Sequence, residues 1–594
     1  MVVNVGAAET RSSFQWTRLS RAVVVHNAEI AEMFNRLADL LEIEGANVFR
    51  VRAYRRAAQT IEDLPVSAAE MLEKGEDLAK LPGIGRDLAG KIEEFVKTGH
   101  CSALDEVMAR VPASLAALVA VPGLGPKRVQ LIHERLGVRS LEELAQAARE
   151  HKLRSLPRFS AKLEAQILSE LEQHRTAERR FRIATAADFA EALRRHIERC
   201  PGVERVVVAG SYRRCKETVG DLDILVTCAK SKPVIEHFVG YEEVAQVAAK
   251  GSTRAAIALK AGLQADIRVV PSESYGAALH YFTGSKSHNI HIRKLGQSRG
   301  LKINEYGVFR NGKRIGGRTE EEVFAAVGLP FIEPELREDR GEIEAAQAGR
   351  LPKLVEQRDI RGDLHCHTNA SDGKNSLVEM VEAARARGYE YLAITDHSKR
   401  AAVARGLDEK RLAKQLDEID RLNDKLDGFR VLKSSEVDIL VDGKLDLPDR
   451  ILKRLDIVVC SIHYKFDLDP KSQTERILRA MDNRYFNILG HPTGRLLAER
   501  AGYALDLERV MRGAKERGCY LELNSHPSRL DIDDVHCKLA KDLGVLVSIG
   551  TDAHSTMGLA AMRYGIGQAR RGWLEAKDIL NTRPWPALKA LLKR

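Results

Sequence analysis

The stretch GDLDILV at residues 220–226 places two aspartates, Asp221 and Asp223, one residue apart in an otherwise apolar run. The run predicts a β-strand, and alternate side chains of a strand point to the same face, so the two carboxylates lie side by side. Like charges held so close are unfavourable unless a cation or a shared proton relieves the repulsion. The stretch therefore predicts a cation site within a mixed α/β fold.

The residues around this stretch favour phosphate chemistry. A Gly-Ser turn and two arginines precede it in AGSYRRCKETVGDLDIL (209–225), and ADIRVV (265–270) supplies a third carboxylate, Asp266. The turn, Arg213 and Arg214 suit triphosphate oxygens, and Mg²⁺ prefers few carboxylate ligands plus substrate phosphates. Two such ions can stabilise both oxygens of an in-line displacement. This pattern predicts nucleotidyl transfer, and the alternative, a surface strand of solvated acids, does not explain the apolar flanks.

Length and composition limit the class of protein. The chain has 594 residues, enough for several domains, and a net charge of +10, which favours a polyanionic partner. Its eight cysteines are scattered, as expected of reduced thiols in a cytoplasmic protein. We see no secretory signal and no apolar run near the roughly 20 residues that span a bilayer, so we expect no membrane association.

Two glycine-rich turns occur in a helical part of the chain. LPGIGRDLAGKI (81–92) and VPGLGPKRVQLI (121–132) share Pro-Gly-hydrophobic-Gly before a helix, with Gly83, Gly85, Gly123 and Gly125 in equivalent places. Glycine allows close backbone approach, and the N–H groups of the next helix can bind a phosphate. A generic helix–turn–helix corner is the alternative. LPRFSAKLEAQI (156–167) is a degraded third copy to which we assign no phosphate.

The last part of the chain contains a second candidate site. Short apolar runs alternate with helical segments, which predicts parallel strands and a barrel, and metal-binding side chains end nearly every run. Any one histidine could be an ordinary core residue, but so many at strand ends imply two or three ions, such as Mn²⁺, Zn²⁺ or Fe²⁺. The candidate ligands are His365, His367, Asp372, His397, Glu436, His463, His491, Asp552 and His554. Cys366 points away from them and is expected in packing, and Asp363 is left out of the set.

The central region resembles the palm of family X DNA polymerases, through GDLDIL, YFTGSKSHNIHIRKLG (281–296) and LKINEYGVF (301–309). The resemblance implies that Asp221, Asp223 and Asp266 bind the catalytic Mg²⁺ or Mn²⁺. It also implies that eight residues contact the incoming nucleotide or the template: Ser211, Arg214, Gly220, Tyr281, Phe282, Gly284, Asn289 and Arg293. No role is carried over to Lys286 or His288.

The helical part is similar to the amino-terminal and fingers subdomains of the same family, and the glycine turns to helix-hairpin-helix motifs. The resemblance implies a DNA contact at Tyr54 and places Lys91 at the Schiff-base lysine of a 5′-deoxyribose-phosphate lyase. Asp87 stands where such relatives have a basic residue, which weakens the lyase expectation.

The carboxy-terminal part resembles the polymerase-and-histidinol-phosphatase (PHP) domain, a distorted seven-stranded barrel with a trinuclear site. This implies a 3′–5′ exonuclease, with 3′-phosphatase and abasic-site endonuclease activities as further expectations. We expect an extension (1–25), an 8-kDa-like helical domain (26–100), fingers (101–178), a palm (179–270), a thumb (271–330), a linker (331–358) and the PHP domain (359–594).

We therefore expect a monomeric, nucleoid-associated gap-filling polymerase of base-excision repair that acts on gapped or nicked DNA with dNTPs. Three alternatives stay open: a phosphoesterase attached to an inert transferase module, a polymerase whose PHP metals are structural, and a DNA-end-binding scaffold.

Overall fold

The computed structural model describes residues 25, 27–62, 64, 67–111, 114–119, 121, 124–157, 159–174 and 180–593. The predicted extension, apart from Val25, and the predicted turn residue Gly123 lie outside this part of the chain. In the described part, no helix is long and apolar enough to cross a membrane.

The first part of the chain is an array of helices around one apolar core. In the first helix Ile30, Phe34, Leu37 and Leu41 recur at three- and four-residue spacing and are fully buried, which explains the helical pattern. The helices are α1 (Asn27–Ile43), α2 (Val48–Glu62), α3 (Ala68–Glu73), α4 (Arg86–Thr98), α5 (Ser102–Met108), α6 (Ser114–Val119), α7 (Pro126–Leu136), α8 (Leu141–Arg149) and α9 (Ala161–His174).

A five-stranded mixed sheet follows, with strand order β2-β4-β7-β6-β5. Strands β4 and β7 are parallel neighbours, and their register sets Asp223 beside Asp266. The elements are β1 (Phe181–Arg182), α10 (Ile183–Glu198), β2 (Val203–Val208), α11 (Gly210–Arg213), β3 (Thr218–Val219), β4 (Asp221–Cys228), α12 (Ser231–Val239), β5 (Val244–Lys250), β6 (Arg254–Leu259) and β7 (Gln264–Val270).

A smaller unit of helices and a three-stranded antiparallel sheet comes next. It contains α13 (Tyr275–Thr283), α14 (Lys286–Ser298), β8 (Leu301–Asn304), β9 (Gly307–Arg310), β10 (Lys313–Gly316), α15 (Glu320–Ala326) and α16 (Glu342–Gln347). The segment 331–358, expected as a linker with little hydrophobic pattern, is packed onto this unit. Ile332, Leu336 and Ile343 are buried in its core, and Arg337 is fully buried against Glu320. These apolar residues are irregularly spaced along the chain, so hydrophobic periodicity did not predict that the segment is packed.

The last part of the chain is a parallel barrel. The strands are β11 (Gly362–Cys366), β12 (Tyr391–Ile394), β13 (Arg430–Lys433), β14 (Glu436–Asp438), β15 (Val459–Ser461), β16 (Ile488–Leu489), β17 (Tyr520–Asn524) and β18 (Val547–Gly550). The helices are α17 (Leu377–Ala386), α18 (Glu409–Asn423), α19 (Asp449–Leu452), α20 (Pro470–Met481), α21 (Leu507–Arg517), α22 (Asp534–Leu543), α23 (Met562–Arg571) and α24 (Trp585–Leu592).

Two features make the barrel seven-stranded and distorted. Only Ser434 and Ser435 separate β13 from β14, so these two segments act as one bent strand and the eight strands count as seven. Closure comes from the segment after β18, where Asp552 N donates to His365 O over 2.8 Å and His367 N donates to Ala553 O over 2.8 Å. The predicted distorted barrel is confirmed. Cys366 is fully buried in its core, as expected, and all eight cysteines are free.

Candidate active sites

Three carboxylates converge on the sheet of the second unit. Asp223 and Asp266 are register neighbours on parallel strands, and Asp221 lies two residues before Asp223 on the same face. Burial, and then the charges of Asp221 and Asp266, raise the pKa of Asp223 to about 7. Burial and the Asp221 charge also raise the pKa of Asp266. The free site therefore holds repelling carboxyl groups, which a divalent cation would relieve.

The Gly-Ser turn packs directly on this cluster. Ala209 N donates to Asp223 O over 2.6 Å, which fixes the turn to β4. Gly210 has φ +61°, and a Cβ there would lie 2.2 Å from Asp223 Oδ2. The Ser211 hydroxyl is buried with no hydrogen-bond partner among the described residues. The turn thus requires glycine and keeps a hydroxyl available for a ligand oxygen.

A cleft of about 580 Å³ opens beside the turn and the first two carboxylates. Its lining contains Gly210, Ser211, Arg214, Asp221, Asp223, Tyr281, Phe282, Gly284, Lys286, Asn289, Ile290 and Arg293. Seven of the eight predicted nucleotide contacts are in this lining, and Gly220 is not. Lys286, to which no role was assigned, is part of it.

The aromatic pair and Asn289 form one wall. The rings of Tyr281 and Phe282 meet edge to face, with centroids 5.1 Å apart. Asn289 Nδ2 donates to Tyr281 O over 2.7 Å, while its buried Oδ1 has no partner within the described chain. That oxygen is available to a donor group of a ligand.

Both arginines of the turn form ion pairs with carboxylates. Arg213 is bidentate to Glu320, with distances of 2.9 and 2.7 Å, and it does not line the cleft, so its predicted phosphate role is wrong here. Arg214 lines the cleft but donates through Nε to Glu338 over 2.9 Å. This ion pair uses Nε, so a phosphate can bind the remaining N–H groups of the Arg214 guanidinium or replace Glu338.

The barrel reaches this turn through α23. Arg571, whose side chain is only 2% exposed, donates to Arg214 O over 2.8 Å, to Glu338 over 2.9 Å and to Asp534 over 2.6 Å. Sequence reasoning missed Glu338 and Arg571, because no motif spacing links them to the turn. A side chain of the barrel thus holds the phosphate-facing segment in place.

The two glycine turns have the geometry expected of helix-hairpin-helix motifs, whereas the neighbouring Tyr54 does not have its predicted role. Gly83 has φ +68°, and Gly85 and Gly125 are the N-caps of α4 and α7. Tyr54 is only 3% exposed and packs against Phe34, so it is not accessible to DNA, contrary to the prediction.

Lys91 is held by a neighbour on its own helix. Its Nζ lies 2.6 Å from Asp87 Oδ1, one helical turn away. Schiff-base chemistry needs a free amine facing its substrate. The lyase role therefore stays a prediction that this geometry does not support.

In the barrel, all nine predicted ligands gather at one end around Glu436. His397 Nδ1 lies 2.8 Å from Glu436 Oε2, His491 Nε2 lies 2.9 Å from Oε1, and His463 Nε2 lies 3.3 Å from Oε1. Burial opposes ionisation of Glu436, but the neighbouring imidazoles, first that of His397, hold its pKa well below the usual value. A carboxylate shared by several imidazoles is a suitable bridge between metal ions.

The donor atoms form three overlapping groups, each able to hold one ion. They are His367–Asp372–His397–His554, His365–His367–Asp552 and His397–Glu436–His463.

Two of these atoms, His365 Nε2 and His367 Nδ1, are buried without a hydrogen bond from the described residues. His397 Nδ1 and His463 Nε2 lie within 3.3 Å of Glu436 but do not have hydrogen-bond geometry. Buried polar atoms normally have hydrogen-bond partners. Unpaired donor atoms gathered at one end of the barrel are therefore suited to bind metal ions.

Residues that sequence reasoning did not assign support this cluster. Glu522 accepts from the His365 ring at Nδ1 over 2.7 Å and from His491 N over 2.7 Å, so it orients both residues. Asp363 binds the backbone of His365 and Thr551 and is outside the cluster, as expected. The ELN sequence at the end of β17 was the available signal for Glu522.

Comparison with known proteins agrees with this architecture. Residues 25–101 match a helix-hairpin-helix domain, 115–173 a helix-hairpin-helix tandem, 184–269 the DNA polymerase beta palm, 278–338 the DNA polymerase beta thumb and 363–526 the PHP domain. The chain is 38% identical over 574 residues to the DNA polymerase/3′-5′ exonuclease PolX of Bacillus subtilis (strain 168), covering 96% of this chain and 100% of that protein. The chain belongs to the PHP-containing family X DNA polymerases.

Two other relatives match part of this family X polymerase. Rat DNA polymerase lambda is 28% identical over 54% of this chain and 57% of its own length. A probable phosphatase of Thermoanaerobacter sp. (strain X514) is 30% identical over 37% of this chain and 89% of its own length.

Proposed function

We propose that this family X polymerase fills short DNA gaps in base-excision repair and degrades DNA 3′ ends at its PHP site. The observation that supports both activities is the presence of two separate ligand sets. Three carboxylates lie beside a nucleotide-sized cleft of about 580 Å³, and nine donors lie at one end of the barrel, eight of them in the three groups above and His491 beside Glu436. The Bacillus relative is named for the same pair of activities.

In the polymerase site, Asp221, Asp223 and Asp266 would hold Mg²⁺ or Mn²⁺. When bound, these ions supply electrostatic stabilisation of the pentavalent phosphorus and activation of the primer 3′-hydroxyl. The chain itself orients the nucleotide: the Ser211 hydroxyl and the Arg214 guanidinium face the triphosphate, and the aromatic wall faces the sugar. Nucleotide binding at Arg214 then needs at most a local rearrangement of its ion pair with Glu338.

In the barrel, we propose two or three Mn²⁺, Zn²⁺ or Fe²⁺ ions held by the nine donors. When bound, they supply Lewis-acid activation for phosphodiester hydrolysis. Glu436 links the imidazoles, and Glu522 fixes the ring orientation of His365. We further propose that gapped or nicked DNA and dNTPs are the substrates and that the protein works as a monomer. We keep the domain boundaries given above, except that 331–358 belongs to the unit onto which it packs.

The two sites are tested separately on gapped DNA. Asp221→Ala/Asp223→Ala is expected to abolish primer extension and leave 3′ degradation intact, and His365→Ala/His367→Ala is expected to do the reverse. Glu204→Ala/Glu273→Ala is the matched control, because both residues are exposed carboxylates of the polymerase half. Extension that survives the first variant, or degradation that survives the second, contradicts the assignment.

The same experiment distinguishes the alternatives. An inert transferase module predicts no extension by the unmodified protein, structural PHP metals predict no 3′ degradation, and a scaffold predicts neither. The likeness of the barrel to a probable phosphatase favours a further activity on 3′-phosphate ends. Release of phosphate from such ends, lost in His365→Ala/His367→Ala, is the test.

A further inference from the structure

A cavity of about 400 Å³ lies between the first helical array and the mouth of the barrel. The helical side contributes Arg56 and Pro82, and the barrel side contributes the ligands Asp372, Asp552 and His554. Its volume is in the range of sites that enclose one small ligand, so it admits a frayed strand rather than a duplex. The metal cluster therefore opens into a space that the first helix-hairpin-helix motif partly encloses.

The two sides are in contact around this cavity. Lys374 Nζ is 3.5 Å from Ala79 O at the start of the hairpin turn, and Lys374 N donates to His554 O over 2.9 Å. Met557 of the barrel packs against the apolar core of the helical array. The enclosure is thus a contact between elements far apart in sequence.

Two cations are placed at this junction. The Arg56 side chain lies over Gly83, where a Cβ would be 2.8 Å from Arg56 Cγ, so the hairpin glycine makes room for this arginine. Lys374 reaches the same hairpin segment from the barrel side, since its Nζ is 3.5 Å from Ala79 O. Within the described residues, neither cation has a carboxylate at salt-bridge distance. The Asp77 charge offsets only part of the repulsion between two like charges at one junction, and an anion that contacts both cations would relieve the rest.

We propose that Arg56 and Lys374 form a binding site for the phosphodiester backbone of a single-stranded 3′ end whose terminal phosphodiester lies at the metal cluster. This rests on the proposed exonuclease function and adds a substrate class to it: the preferred substrate carries at least one further phosphate upstream of the bond that is cut. The first helical array then serves the nuclease site through a side chain of α2 that packs on the hairpin glycine Gly83.

The test compares an oligonucleotide with a small ester in the full-length protein with Mn²⁺. The substrates are 5′-labelled (dT)12 and thymidine 5′-(p-nitrophenyl) phosphate, which is too short to reach both cations. Arg56→Ala/Lys374→Ala is expected to lower kcat/KM for (dT)12 at least about tenfold, mainly through KM, because each lost contact is a charge-assisted one. The small ester is expected to stay within about twofold of the unmodified rate.

Two further variants sharpen the result. Arg56→Lys/Lys374→Arg keeps both charges and is expected to restore most of the (dT)12 activity. Lys414→Ala/Arg512→Ala removes the same two charges from outer helices of the barrel, where both side chains are exposed, and is the matched control. Equal loss on both substrates, or (dT)12 kinetics equal to those of the control, overturns the proposal.

Binding measurements separate this proposal from the exonuclease assignment. The salt dependence of fluorescein-(dT)12 binding, measured by anisotropy without metal, reports the number of phosphates neutralised. The slope of log K against log salt is expected to fall in Arg56→Ala/Lys374→Ala, by about 0.7 where the two cations share one phosphate and by about 1.4 where they contact two, since each phosphate neutralised on a single strand contributes about 0.7. An unchanged slope refutes the site even if the protein cuts DNA. A reduced slope in a protein that does not cut supports the site and refutes the exonuclease.

Discussion

Replacing Asp223 by Asn should stabilise the metal-free palm, and the effect should depend on pH. Burial and two neighbouring carboxylates raise the pKa of Asp223 from 3.8 to about 7. In the unfolded chain the group ionises near its ordinary value, so between about pH 4 and pH 7 the folded state holds more protons than the unfolded state. Stability is therefore lost as the pH rises through this window, and the loss is complete above about pH 7.

The size of this effect follows from the shift. About three pKa units at about 1.4 kcal/mol each give an upper limit of about 4 kcal/mol at pH 8 and nearly nothing at pH 4. Asn has a similar shape and no charge, so Asp223→Asn removes the penalty. The ionised Asp223 thus lowers the free energy of unfolding of the metal-free palm, and a divalent ion that neutralises the carboxylates should restore it.

Urea unfolding in EDTA, detected by pulsed hydrogen exchange of the β4 and β7 peptides, measures this difference between pH 4 and pH 8. Added Mg²⁺ should stabilise the unmodified palm and not the variant. Glu273→Gln, at an exposed carboxylate, is the control and should show no pH-dependent gain. A gain that is the same at both pH values, or a variant less stable than the unmodified protein at pH 8, refutes the reasoning.

Three other substitutions test particular contacts. Gly210→Ala should reduce primer extension at least about 100-fold and spare 3′ degradation, because its Cβ would lie 2.2 Å from Asp223 Oδ2. Glu522→Gln should weaken Mn²⁺ binding and 3′ degradation about 10- to 100-fold by loosening His365, as seen in a calorimetric Mn²⁺ titration. Arg571→Ala should raise KM for dNTPs and expose the palm–barrel junction to limited proteolysis, since three hydrogen bonds of a buried guanidinium are lost.

Each of these has a matched control in the chain. Gly202 has φ +86° but open space around its Cβ position, so Gly202→Ala carries the same backbone strain without the clash. Glu516→Gln changes an exposed carboxylate of α21, and Arg563→Ala removes a cation from the same helix as Arg571. Effects of the controls as large as those of the test variants would contradict the three explanations.

The sequence alone predicted the architecture and the main candidate ligands. Strand and helix periods are local properties, so the alternation of short apolar runs with helical segments was enough for the barrel. Donor chemistry is also local: GDLDIL and the histidines that end successive strands identify themselves by residue type. The family resemblance then extended the set to the residues of the cleft.

What the sequence could not give are contacts between segments distant along the chain. The pairing of Arg214 with Glu338, the burial of Tyr54 and the packing of 331–358 depend on which surfaces meet, and no period or motif records that. The same holds for Arg56 and Lys374, which lie more than 300 positions apart and both contact the hairpin segment where the helical array meets the barrel. Local chemistry selected the ligands, whereas long-range packing decided which cations and carboxylates stand beside them.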